Sequence, residues 1–194
     1  MVQKRFEIRL SGTGGQGIIT AGILLGEAVT LYDHHFAVQT QSYGPEARGG
    51  ASRSDVVICI NPVDYPKVIE PDLVAVLSRE AFEKYAHRNK PDALLIADKD
   101  CIIEGHEAIA KHAFILPICE TARLEIGSEL TTNIMLIGVI AGIRAVVSPE
   151  ALEIAVSARF AGKKPEMNLK ALRTGISMGQ QALQSCGEPA YAPA

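Results

Sequence analysis

The stretch "SGTGGQG" at residues 11–17 constrains this chain more than any other. It sets Gly12, Gly14 and Gly17 at the spacing G-x-G-x-x-G. Before it stands "RFEIRLS", whose Phe6, Ile8 and Leu10 alternate with polar neighbours as in a strand. After it comes "IITAGILLGEAVTLY", with apolar residues at helical spacing. Strand, tight turn and helix in that order predict an α/β unit. Glycines at these places permit a tight turn and close approach of backbone, and the free N–H groups of a helix's first turn attract phosphate. Two readings stay open. Gly12, Gly14, Gly15, Gln16 and Gly17 cradle a phosphate or pyrophosphate, or the turn binds nothing.

Two nucleotide-binding classes fit the turn poorly. A dinucleotide fingerprint also needs an acid at the end of the second strand, to hold ribose hydroxyls. The second predicted strand, "HFAVQTQ", ends without one, and the nearest acid, Asp33, precedes it. A P-loop needs Lys and Ser or Thr after its last glycine, where this chain has Ile18 and Ile19.

Downstream, "ASRSDVVICI", "DLVAVLS" and "DALLIAD" read as strands, with a helix at "REAFEKYAHRN". Alternating strands and helices up to about residue 118 predict a largely parallel sheet with helices on both sides. "HFAVQTQ" and "ASRSDVVICI" lie too close together for a parallel crossover, so they are expected to pair antiparallel and make the sheet mixed. The rest is expected to be helical. "SELTTNIMLIGVIAGIRAVV" predicts a buried helix, and its Gly138 and Gly142 would admit another helix closely, inside the chain or from a partner. Ser148 and Pro149 predict an N-cap and first helical residue, with a stop near Gly162, and a last helix covers about 166–185. The expected fold class is therefore a three-layer α/β/α, Rossmann-like domain over residues 1–186, with a flexible tail at 187–194.

Composition removes several functions. A net charge of -3 and a pI near 6.0 give no footprint for nucleic acid or an anionic membrane. No signal peptide or long apolar run is present, so a cytoplasmic location is expected. Cys59, Cys101, Cys119 and Cys186 are dispersed, which predicts buried thiols rather than a metal or iron–sulfur site. The five histidines, at 34, 35, 87, 106 and 112, sit in polar or loop-like surroundings without an orienting partner, so none is assigned as a catalytic base.

A second motif, "SYGPEARGG" at 42–50, is unlike any core element. Gly44-Pro45 and Gly49-Gly50 mark a turn at each end. Between them, Tyr43, Glu46 and Arg48 are presented on a constrained loop, either as a surface ion pair or as contacts to a partner or ligand. The two motifs together, with "TTNIMLIGVIAG" around Asn133 and "PEMNLKALRTGI" around Asn168, resemble the gamma subunit of the 2-oxoacid:ferredoxin oxidoreductases. The form of the loop is most like the 2-oxoglutarate type.

That resemblance implies one subunit of an enzyme converting a 2-oxoacid and coenzyme A to acyl-CoA, carbon dioxide and reduced ferredoxin. It implies alpha, beta and delta-type partners, which carry thiamine diphosphate, magnesium and iron–sulfur clusters. It associates this module with coenzyme A. Tyr43, Gly44, Pro45, Glu46, Arg48, Gly49, Gly50 and Asn133 are then expected to shape an interface or site, with no catalytic residue on this chain. Two alternatives remain: a stand-alone Rossmann-type dehydrogenase, and a non-catalytic assembly module.

Overall fold

The computed structural model describes residues 5–42, 50–87, 89–102, 112–162 and 165–185. Among these residues, six strands form one sheet: β1 (Arg5–Thr13), β2 (Phe36–Ser42), β3 (Ala51–Cys59), β4 (Leu73–Val76), β5 (Leu94–Asp98) and β6 (His112–Leu116). Their spatial order is β2-β3-β1-β4-β5-β6. β3 pairs antiparallel with both β2 and β1, in registers running from Phe36↔Cys59 to Ser42↔Arg53 and from Arg5↔Cys59 to Thr13↔Ala51. β1, β4, β5 and β6 are mutually parallel. The expected mixed sheet is therefore present, with β3 alone running against the other five strands.

Helices cover both faces. On one face, Ile8, Leu10, Val56, Ile58, Ala75 and Ile96 pack under α1 (Ile18–Glu27), α4 (Thr132–Ile143), α5 (Pro149–Arg159) and α6 (Pro165–Ser185). On the other, Val74, Val76, Leu95 and Ala97 pack under α2 (Arg79–Tyr85) through Ala81, Phe82 and Tyr85. Both α1 and the short α3 (Ile118–Thr121) run on into a π-helical turn, at Ala28–Tyr32 and Ala122–Ile126.

The helical C-terminal part follows its sequence signals. Ser148 caps α5, its Oγ accepting from the Ala151 N–H at 3.1 Å, and Gly162 adopts φ +76° beyond the helix end. Every α4 residue from Thr132 to Ile140 is buried. Gly138 and Gly142 meet Gly175 and Gly179 of α6. A Cβ added at any of the four would collide with backbone of the facing helix. The close approach expected at Gly138 and Gly142 is thus internal packing.

Two features depart from expectation. The alternation in β1 suggests one polar face, yet Glu7, Arg9 and Ser11 are buried too. Arg9 donates to both oxygens of Asp55 at 2.9 and 3.0 Å, while Glu7 accepts from the Arg5 side chain and from the backbone N–H groups of Ile69 and Glu70. Asp72 accepts from the Glu7 N–H at 2.8 Å. Buried charges persist where they are paired and hydrogen-bonded. Here the pairing fastens the irregular crossover between β3 and β4 over the strand. The second departure is β6, a five-residue strand that also contains His112, which the sequence had placed in a loop-like setting. "HAFIL" is too short for its period to separate it from its surroundings.

Cys59 and Cys101 are buried and Cys119 is half-buried. Burial, reinforced by the Asp98 carboxylate, pushes the Cys101 thiol up to about 12 and raises that of Cys119 as well. Cys186, His106 and the tail at 187–194 lie outside the described residues. Among the described residues, no helix is long and apolar enough to cross a membrane.

Candidate phosphate-binding site

β1 leaves the sheet into α1 on one face, whereas its parallel neighbour β4 leaves into α2 on the other. The crevice between their C-terminal ends is a topological switch point, where open α/β sheets bind ligands. The glycine turn forms one lip of it. Gly15 has φ +99° and Gly17 φ +72°, conformations that favour glycine. Among the described residues, α1 starts at Ile18 without a side-chain cap on its first backbone N–H groups.

The turn is braced from three directions. The Gln16 side chain accepts from the Thr13 N–H at 2.7 Å and donates to the Leu77 carbonyl, at the end of β4, at 2.9 Å. Asn133, at the start of α4, donates through Nδ2 to the Gly17 carbonyl at 3.1 Å, and its Oδ1 accepts from the Ile134 N–H at 2.9 Å. A Cβ at Gly17 would lie 2.5 Å from that Nδ2. The carbonyl of Gly50, just before β3, accepts from the Gly14 N–H at 3.3 Å, and Ser52 Oγ of β3 donates to the Gly12 carbonyl at 3.2 Å. Among the described residues, nothing packs closely against Gly14 or Gly15. A Cβ at Gly14 would first meet the Gly50 carbonyl at 4.0 Å, and one at Gly15 would meet nothing within 4 Å.

The structure thus brings Gly12, Gly14, Gly15, Gln16, Gly17, Gly50 and Asn133 together. Gln16 and Asn133 act as braces, since both ends of each amide are engaged within the chain. Tyr43, Gly44, Pro45, Glu46, Arg48 and Gly49 lie outside the described residues. Sequence reasoning missed Ser52 and the Leu77 carbonyl. Their roles depend on which strands flank β1, and no local pattern encodes that.

The sheet order also bears on dinucleotide binding. In that fold class the ribose-binding acid stands at the end of the strand next to β1. Here β3 separates β1 from β2, which puts the end of β2 about 10 Å from β1. Its last residues are Thr40, Gln41 and Ser42 rather than an acid.

Among the described residues, no group of three or more His, Cys, Asp or Glu side chains converges to hold a metal ion.

Fold and turn define a Rossmann-like α/β domain whose sheet carries an inserted antiparallel strand. The chain belongs to the pyruvate ferredoxin/flavodoxin oxidoreductase family, whose model matches residues 7–178. It is 41% identical over 181 residues to the 2-oxoglutarate synthase subunit KorC of Methanocaldococcus jannaschii, covering 93% of this chain and 97% of that one. The KorC subunit of Methanothermobacter thermautotrophicus is 42% identical over 180 residues, covering 90% and 95%. Among solved structures, the keto/oxoacid ferredoxin oxidoreductase gamma subunit from Geobacter sulfurreducens matches with a TM-score of 0.84 at 38% identity, over 93% of this chain and 99% of that one. The 2-oxoglutarate:ferredoxin oxidoreductase of Magnetococcus marinus, solved with 2-oxoglutarate, coenzyme A and succinyl-CoA, shares the fold. Its TM-score is 0.83 at 22% identity, over 92% of this chain and 32% of that one.

Proposed function

We propose that this chain is the gamma subunit of a 2-oxoacid:ferredoxin oxidoreductase acting on 2-oxoglutarate, and that its glycine turn holds the diphosphate of coenzyme A. Membership of the family and the relatives aligned over nearly their whole length, named as 2-oxoglutarate synthase subunits, support the first part. The observation that carries the second is the contrast within the turn. Gly12 and Gly17 are packed against Gln16 and Asn133, while among the described residues nothing packs closely against Gly14 or Gly15 beside the start of α1. Backbone N–H groups held this way suit phosphate oxygens.

In the whole enzyme the carboxylate of the 2-oxoacid leaves as carbon dioxide, the acyl group passes to the thiol of coenzyme A, and the electrons reduce ferredoxin. Thiamine diphosphate, magnesium and iron–sulfur clusters belong on alpha, beta and delta-type partners in this reading. This chain's own part is to bind and orient coenzyme A, and it is inactive alone. A cytoplasmic location goes with it. The intervening β3 and the uncharged end of β2 speak against a stand-alone dehydrogenase.

The test is anaerobic purification of the tagged chain from its own host, followed by assay for coenzyme A-dependent reduction of a viologen with several 2-oxoacids. Co-purifying larger subunits with preference for 2-oxoglutarate is the expected result. A complex active only on another 2-oxoacid would refute the substrate assignment, and a lone inactive chain would refute the subunit role.

A further inference from the structure

One edge of the sheet has a hydrogen-bonding direction that can be traced residue by residue. Glu7 and Ser11 of β1 turn their carbonyls to the β4 side, accepting from the Asp72 and Leu77 N–H groups at 2.8 and 2.9 Å. Backbone groups alternate along a strand, so the even-numbered residues of β1 face β3. The Gly14 N–H, bonded to the Gly50 carbonyl, follows the same rule just past the strand end. With Ile8 opposite Val56 and Leu10 opposite Ser54, the odd-numbered residues of β3 are the ones that face β2, and they stand opposite Phe36, Val38, Thr40 and Ser42. Ala37, Gln39 and Gln41 therefore point their backbone N–H and C=O groups outward. Among the described residues, no other backbone group meets them.

Sheet edges are normally blunted by shortness, charge, proline, a bulge or a covering element. β2 is seven residues long, "FAVQTQS", has neither charge nor proline, and keeps unbroken register with β3. What completes such an edge is another strand, and this one matches itself. Turned about a two-fold axis through Gln39, a second β2 runs antiparallel, setting Gln39 against Gln39 and Ala37 against Gln41. These are the outward residues, and each such pair exchanges two hydrogen bonds. Between them Val38 meets Thr40 of the second copy in the closer, non-hydrogen-bonded arrangement, and nowhere do like charges meet. Phe36, 43% exposed at the start of the strand, lies on the same sheet face as Val38 and gains cover from the far end of the second strand. We propose that the β2 edge is an interface between two copies of this chain, joined antiparallel about Gln39 so that their sheets run on into one. The contact is isologous and closes at two copies. It is independent of what the glycine turn holds.

Analytical ultracentrifugation of the purified full chain is the test, and a reversible dimer is the expected result. Gln41→Pro removes an outward N–H and no bond to β3, at a position where an edge strand accepts proline. It should weaken the dimer about tenfold or more, since the symmetry deletes two bonds at once, and leave the far-ultraviolet circular dichroism unchanged. Val38→Cys combined with Thr40→Cys reports the register even if the proline variant fails to fold. Oxidised glutathione should link that double variant into a covalent dimer, because the two positions face each other with Cα atoms about 4.5 Å apart, while either single variant links far less. Three results would overturn the inference: a wild-type chain that sediments as a monomer, a dimer that Gln41→Pro leaves intact, or equal cross-linking of the single and double variants. A monomeric chain whose Gln41→Pro variant loses another subunit from the assembled enzyme would assign the edge to a partner's strand instead.

Discussion

Two groups of glycines in this molecule do opposite things with the space that a side chain would fill. Gly138 and Gly142 on α4 face Gly175 and Gly179 on α6, and at all four the space is taken by the backbone of the other helix. At Gly14 and Gly15 no described residue fills it. Between the two groups stand Gly12 and Gly17, where the neighbours are the amides of Gln16 and Asn133. Spacing alone does not separate these cases, since both groups belong to G-x-x-x-G or G-x-G-x-x-G patterns. Occupancy does. A filled glycine serves packing, whereas Gly14 and Gly15, beside a helix start, meet no described side chain or backbone closely.

The comparison can be broken most forcefully at the helix crossing. Gly138→Val should cost about 3 kcal/mol by forcing backbone away from backbone, lowering the midpoint of thermal unfolding by roughly 10 °C. A shift below about 2 °C would show that α4 and α6 can separate freely. Gly17→Ala comes next, at about 2 kcal/mol, because alanine pays for a left-handed conformation and also displaces Asn133. Asn133→Ala in the same chain should recover part of that loss, and strict additivity in a double-mutant cycle would deny the contact. Gly14→Val reverses the pattern. Its stability should stay within about 0.5 kcal/mol of the wild type, while the KM of the assembled enzyme for coenzyme A rises about tenfold. If that KM is unchanged with assembly intact, the open glycines hold no coenzyme A.

The smallest effect sharpens the account of what holds α6. Arg173 forms a two-bond pair with Glu153 of α5, at 2.8 Å for each bond, and this holds the Glu153 carboxyl below its usual range. A depressed carboxylate contributes stability above its unfolded pKa, and the contribution is lost as pH falls through the lower folded value. Lowering the pH below the ordinary glutamate range should therefore weaken the α5–α6 contact. The pair is largely exposed, so Glu153→Gln should move the acid unfolding midpoint only slightly. A large shift would mean that charge, rather than the reciprocal glycines, carries this helical layer.

What could be read from the sequence was local. The turn at 12–17, the Ser148-Pro149 helix start and the buried character of α4 each rest on residues close together in the chain, where glycine conformations, capping hydroxyls and apolar runs have direct consequences. The antiparallel pairing of β2 and β3 was also legible, because the short stretch between them forbids a crossover. What could not be read was set at a distance. Arg9 looked like the solvent side of a strand because its partner, Asp55, lies 46 residues away. Gln16 looked like a ligand contact because the Leu77 carbonyl it meets is placed by strand order. The same ordering, with β3 between β1 and β2, turned a weak argument against dinucleotide binding into a geometric one.

The insertion of β3 has a further consequence, for the birth of the protein on the ribosome. β1 is the most buried strand near the N-terminus, yet both of its partners, β3 and β4, are made after the whole β1-α1-β2 segment. Until residues 51–59 have emerged, Phe6, Ile8 and Leu10 have no strand to lie against. The β1-α1-β2 segment therefore cannot complete its sheet before β3 is made, which sets long-range pairing ahead of local closure in its folding.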